Sequence, residues 1–280
     1  MHPIERLRYV ARAGGLDLLE LVQDAALALG GFADDPAALV TACRSLVDRH
    51  PAAGPVWWLA ARVLTSPDPA AEAWRVVEEV EADDTARTLY REVPDGARVL
   101  VVGWPDAVAR GLSRRGDCRY LVVDAAGAFS SPVDRLLRAG LDVDEIPEAG
   151  IGAAAGLVDL VLFEAQAMGA SEREGLVASG LVAVSGARAA AAVAAAGGTP
   201  VWAVAPTGRM LPAGLWQALA TRVGDVAEPW LEPDELVPLG LVAGVARPGG
   251  VVGPGEAVSV PDCAFAPELV RPLDAPGSHR

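Results

Sequence analysis

Gly103, Trp104, Pro105 and Asp106 follow an apolar run and open a helical stretch, so their backbone amides could face an anion. The same four residues also suit an ordinary strand-to-helix turn. A second glycine cluster, Gly150, Gly152 and Gly156, resembles a dinucleotide loop, but its spacing is GxGxxxG. The next apolar run starts within two residues, which leaves about two helical turns, too few for the crossover of a dinucleotide fold. No acidic residue sits ~20 positions on at the end of the next strand, as ribose recognition would want. A short packed helix is the reading we adopt there, and no nicotinamide cofactor is expected.

Other chemistries are excluded by residue type. The chain contains no Lys, which removes Schiff-base catalysis and the lysine of a phosphate-binding P-loop. Cys43, Cys118 and Cys263 are scattered, as are His2, His50 and His279, so neither a disulfide framework nor a metal site is expected. The net charge is −14, from 37 acidic residues against 23 basic ones that form no cluster in sequence. A nucleic-acid partner is therefore not expected. Mean hydropathy is +0.30, yet the longest apolar run, residues 189–196, is far below the ~20 residues of a membrane span. Residues 1–12 are charged throughout and lack a signal core, so the expected location is cytoplasmic.

These residues need an architecture to position them. Leu16, Leu19, Val22, Ala26 and Leu29 recur at helical spacing before Gly30 and Gly31. Asp35 and Pro36 start a second helix whose apolar face is Leu39, Cys43, Leu46 and Val47. A Trp-rich segment follows at residues 56–64. Asp68 and Pro69 then cap a helix expected to run unbroken to about Arg91, burying Trp74, Val77 and Leu89. From Pro94 onward short apolar runs alternate with helical stretches, at residues 98–102, 120–123, 142–146, 157–163, 181–184 and 201–205. Such runs predict strands buried on both faces of a parallel sheet. The fold class is α/β: an N-terminal helical domain over residues 1–94, then a Rossmann-like domain with a mostly parallel sheet over residues 95–280. Ligands in such sheets sit at the carboxyl ends of strands, which marks residues 103–106, 124–127, 148–152, 164–169 and 205–209.

The stretch from Val158 to Met210 is similar to the family that holds initiation factor 2B regulatory subunits, methylthioribose-1-phosphate isomerase and ribose-1,5-bisphosphate isomerase. The matching pieces are Glu164-Ala165-Gln166, Ser179-Gly180, Gly186-Ala187, the alanines of residues 189–196 and the run ending in Pro206. Arg49, His50 and Pro51 upstream, and residues 263–270 near the end, extend the resemblance over residues ~40–270. It implies a dimer built through the Rossmann-like half. Trp202, Trp216 and Trp230 could anchor such a face, although Trp202, inside a strand, fits core packing better.

The family's isomerases resemble one another in a catalytic Cys after the first sheet strand and an Asp in a Gly-Ala-Asp turn. Here Gly103, Trp104 and Pro105 stand at the first place and Gln166 at the second. Gln exchanges no proton near neutral pH. Weak catalytic candidates are Glu164, which alternation would place on the same side as Gln166, together with Asp106 and Asp124. Residual anion binding would fall to Arg12 beside Gly14 and Gly15, to Arg49, and to Ser185, Gly186 and Arg188. Arg12 and Arg49 also fit solvated helix ends, Ser185 a helix cap, and Arg188 a solvent-facing first turn. The expected protein is a diverged pseudoenzyme that binds a small phosphorylated metabolite or serves as a regulatory subunit. The alternative is an isomerase or lyase using Glu164.

Overall fold

The computed structural model describes residues 18–103, 105–123, 132–170 and 179–270. Five helices come first: α1 (Leu18–Gly30), α2 (Pro36–Arg49), α3 (Gly54–Thr65), α4 (Pro69–Glu81) and α5 (Thr85–Glu92). Asp35 caps α2 by accepting from the Ala37 and Ala38 amides at 3.1 and 3.0 Å, and Asp68 caps α4 through Ala71 at 3.0 Å. The expected apolar face of α2 is buried as read. The long helix to Arg91 is not continuous. It breaks between α4 and α5, where Asp83 turns its Oδ1 onto the Thr85 amide at 2.9 Å and stops the first helix. Val77 and Leu89 are buried, but Trp74 is 57% exposed, contrary to expectation.

Seven strands then form one sheet in the order β10-β9-β7-β4-β1-β2-β3. They are β1 (Arg98–Val102), β2 (Arg119–Val123), β3 (Asp142–Glu145), β4 (Leu160–Glu164), β7 (Val201–Val204), β9 (Gly244–Arg247) and β10 (Gly250–Val252). All pairings are parallel except the β9–β10 hairpin at the edge. The central strands β1, β4, β7 and β9 are buried on both faces, whereas β3 at the edge buries only Val143, contrary to expectation for residues 142–146. Leu100, Val102, Val161 and Phe163 pack on one side against α8 (Ile151–Ala155) and α9 (Ala187–Gly197). Val99, Val101, Leu160 and Leu162 pack on the other against α5, α6 (Asp106–Leu112) and α7 (Pro132–Arg138). Helix α9 buries Ala187, Ala190, Ala191 and Ala194, a stripe at i, i+3, i+4 and i+7.

The run at residues 181–184 does not join this sheet. It is β6 (Gly180–Val184), the middle strand of a separate antiparallel sheet between β5 (Ala167–Gly169) and β8 (Asp234–Pro238). Its continuous apolar character reflects burial on both sides, which a parallel strand and this strand share. The N-terminal helices close their core against this small sheet and the end of the chain. Trp57, Trp58 and Leu59 cluster with Val182, with Trp216 and Leu219 of α10 (Ala213–Gly224), and with Leu269. Among the described residues, no helix is long and apolar enough to cross a membrane.

Candidate functional site

The chain order reverses at β1. After it the strands run outward through β2 and β3, and then return on its other side as β4, β7 and β9. The carboxyl ends of β1 and β4 therefore flank the switch point where this sheet type binds ligands. A cleft of about 60 Å³ lies there, lined by Asp83, Asp106, Arg110, Glu164, Thr207 and Arg209 among others. A cavity needs ~10–15 Å³ of this kind to hold one water, so the cleft as it stands has room for a few waters.

Glu164 ends β4 and points into this cleft, where it is ion-paired with Arg209. Both side chains are nearly buried, at 10% and 5% exposure. The Arg209 Nε also donates to the Ala165 carbonyl at 2.8 Å. Burial pushes the Glu164 carboxyl above its ordinary range, and Arg209 pulls it back.

Arg209 is held by a loop that is clamped from two sides. Asp83, in the break between α4 and α5, accepts from the Thr207 amide and hydroxyl at 2.7 and 2.8 Å. Asp262 accepts from the Gly208 and Met210 amides at 2.9 and 3.0 Å, while its own carbonyl accepts from Trp58 Nε1 at 3.0 Å. Gly208 has φ +85°, and a Cβ there would lie 2.6 Å from the Trp58 ring, so only glycine fits.

The second candidate region is the start of α9. Gly186 is its N-cap with φ +93°, and the helix gains no side-chain cap from Ser185, contrary to one reading of that residue. The Arg188 amide instead donates to Glu235 Oε1 at 3.0 Å, so a carboxylate from β8 occupies the helix end where an anion would bind. Gly103 stands nearby with φ +71°, its amide bonded to the Val123 carbonyl at 2.8 Å. A Cβ on Gly103 would meet Val184 at 3.2 Å, and one on Gly186 would meet Ile151 at 2.8 Å. Apolar side chains thus fill the space against both glycines.

The predicted residues scatter. Glu164 and Asp106 share the central cleft. Gln166 does not line it: its amide donates to the Val182 carbonyl and its own carbonyl accepts from Gly54, both within backbone pairing to the small sheet and α3. Arg49 is exposed in the last turn of α2. Arg188 lines a different pocket of about 440 Å³, together with Trp216, Asp234 and Glu235. Pro105 is the N-cap of α6. Arg12, Gly14, Gly15, Trp104 and Asp124 lie outside the described residues. Sequence reading missed Arg209 and Asp83 as site residues, although the strand-end rule covered residue 209.

The arrangement can be compared with solved structures. Initiation factor 2B from Pyrococcus horikoshii OT3 superposes with a TM-score of 0.71 at 15% identity, covering 91% of this chain and 98% of that one. The chain has the initiation factor 2B fold. A tetrameric complex of the beta and delta subunits of initiation factor 2B from C. thermophilum gives a TM-score of 0.69 at 19% identity, covering 92% of each chain. The 5-methylthioribose 1-phosphate isomerase from Pyrococcus horikoshii OT3 gives 0.57 at 18% identity, covering 90% of this chain and 84% of that one. No protein-family model and no curated protein matches the sequence. Within the initiation factor 2B fold, the central cleft of this chain is lined by its own Glu164–Arg209 pair.

Proposed function

We propose that this protein is a diverged member of the initiation factor 2B and sugar-phosphate isomerase family that carries out no isomerisation and acts as a regulatory, self-associating subunit. One observation carries the reading: where a sugar phosphate would need them, the chain's charged groups already satisfy one another. Glu164 faces Arg209, and Glu235 occupies the start of α9. A general base must reach the proton it removes, and a carboxylate committed to a buried guanidinium is poorly placed to do so.

Self-association is supported by the C. thermophilum relative, which is named for its tetrameric assembly, and by exposed apolar residues. Trp230 and Leu231 are 73% and 69% exposed, beside the 440 Å³ pocket that Pro229 lines. Trp216 is 1% exposed and belongs to the core, so Trp230 is the better anchor.

Two measurements test the reading. Sugar phosphates incubated with the full chain and followed by NMR should show no isomerisation above the buffer rate. Light scattering should give a dimer or larger, and Trp230→Asp should shift it toward monomer. Turnover that is lost in Glu164→Gln would overturn the non-enzymatic part, and a strictly monomeric chain would overturn the assembly part.

A further inference from the structure

Helices α5 and α6 cross closely. A Cβ on Gly111 would lie 2.8 Å from the Ala86 carbonyl oxygen and 2.9 Å from the Leu89 Cβ, so glycine sets the spacing. Beside this crossing runs an open groove of about 560 Å³, lined by Arg87 and Tyr90 from α5 and by Arg110, Ser113 and Arg114 from the end of α6. The volume falls within the ~300–1,000 Å³ of small-molecule sites.

Arg62, Arg75, Arg98, Arg115, Arg119, Arg209, Arg222 and Arg247 each face a carboxylate. Arg87, Arg110 and Arg114 make no ion pair among the described residues, in a chain with 14 excess negative charges. Arg44, Arg49, Arg91 and Arg188 also lack an ion pair among the described residues, but Arg87, Arg110 and Arg114 converge on one groove whose lining holds no carboxylate. Local helix energetics account for only part of this. Arg110 lies in the last turn of α6 and Arg114 just beyond it, where the helix dipole favours a cation. Arg87 lies in the first turn of α5, where the dipole disfavours one. Three like charges lining one groove also repel one another, and an anion between them would relieve that repulsion. Tyr90 adds a half-exposed aromatic ring, at 47% exposure, to the same groove.

We propose that this groove binds a nucleoside diphosphate or triphosphate, with the phosphates on Arg87, Arg110 and Arg114 and the base against Tyr90. Guanidinium forks match phosphate oxygens bidentately, and a flat base stacks on a phenol ring. Arg110 also lines the central cleft, and its charge reaches Glu164, so ligand binding would be felt at the switch point of the sheet.

The test is calorimetric titration of the full chain with ADP, inorganic pyrophosphate and adenosine. ADP should bind saturably and more tightly than adenosine, with pyrophosphate retaining part of the affinity. Arg87→Ala and Arg114→Ala should each weaken ADP about tenfold or more, because each removes charge-assisted bonds. Both residues are exposed, so their replacement should leave the melting temperature unchanged. Tyr90→Ala should weaken ADP while sparing pyrophosphate. Ser185→Ala, at the start of α9, should change nothing. Absence of saturable ADP binding, ADP affinity unaltered by Arg87→Ala and Arg114→Ala, or a loss confined to Ser185→Ala would each overturn the proposal.

Discussion

Replacing Arg209 by Met keeps the volume of the side chain but leaves Glu164 buried without its cation. Breaking a buried pair in this way costs ~3–5 kcal/mol, because the remaining charge has no partner. At roughly 2–3 °C per kcal/mol for a chain of this size, the melting temperature should fall by about 6–15 °C. The loss should depend on pH with a definite sign. Without Arg209, burial, reinforced by Asp83 and only partly opposed by Arg110, raises the folded pKa of Glu164 further above the unfolded value. The folded variant then binds more protons than the unfolded chain between those two values, so its stability falls as pH rises through them. The deficit relative to the parent chain should therefore shrink on going from pH 8 to pH 5. Glu164→Gln combined with Arg209→Met should recover much of the loss. Urea titration followed by tryptophan fluorescence would read this, since Trp57 and Trp58 are fully buried. A cost below about 1 kcal/mol, or one that is the same at both pH values, would refute the description of Glu164–Arg209 as a buried, mutually dependent pair.

Gly208→Ala meets both a positive φ and the Trp58 ring, and should cost ~2–4 kcal/mol in urea titration. Asp83→Ala removes three acceptor contacts at Thr85 and Thr207, so it should cost ~1–3 kcal/mol and speed amide exchange of Thr207. Arg115, 7% exposed, donates to the carbonyls of Tyr90, Val93 and Pro94 and pairs with Asp117. Arg115→Met should cost ~3 kcal/mol or more, read by thermal unfolding. Asp234 is pushed up to about 6, first by burial and then by Glu232, so stability should decline as pH rises from about 4 through about 6. Asp234→Asn should flatten that part of the pH–stability curve.

The parallel sheet was legible because strands buried on both faces read as unbroken Val and Leu, as β1, β2 and β4 do. The helix starts at Asp35 and Asp68 were legible because capping chemistry is local. The strands outside those runs were not. β8 carries Asp234 and Glu235 and ends in Pro238, and β9 and β10 are four and three residues long, so none has a hydrophobic period to detect. The assignment of β6 to the wrong sheet has the same root: composition reports burial, whereas strand partners are chosen by the rest of the fold. At the site, Glu164 could be picked out as a strand-end carboxylate. Its engagement by Arg209, 45 residues away, left no spacing signal. The break at Asp83 is signalled locally by Asp83, Asp84 and Thr85, which favour caps over helix interiors, but the contact of Asp83 with Thr207, 124 residues away, left no spacing signal.

The core shared by the first helices and the last residues bears on how the chain is made. Arg44 Nε reaches the Glu268 carbonyl at 2.7 Å across 224 residues, and Trp58 Nε1 reaches Asp262 across 204. Synthesis proceeds at ~5–20 residues per second, so α1 to α4 leave the ribosome roughly 9–36 seconds before the segment around Asp262 that covers them. Through that interval Trp57, Trp58 and Leu59 have no Trp216, Leu219 or Leu269 to pack against. Nascent chains stopped short of residue 260 should therefore hold these helices in a protease-sensitive, chaperone-binding form. Emergence of residues 260–270 should be the step that protects these helices.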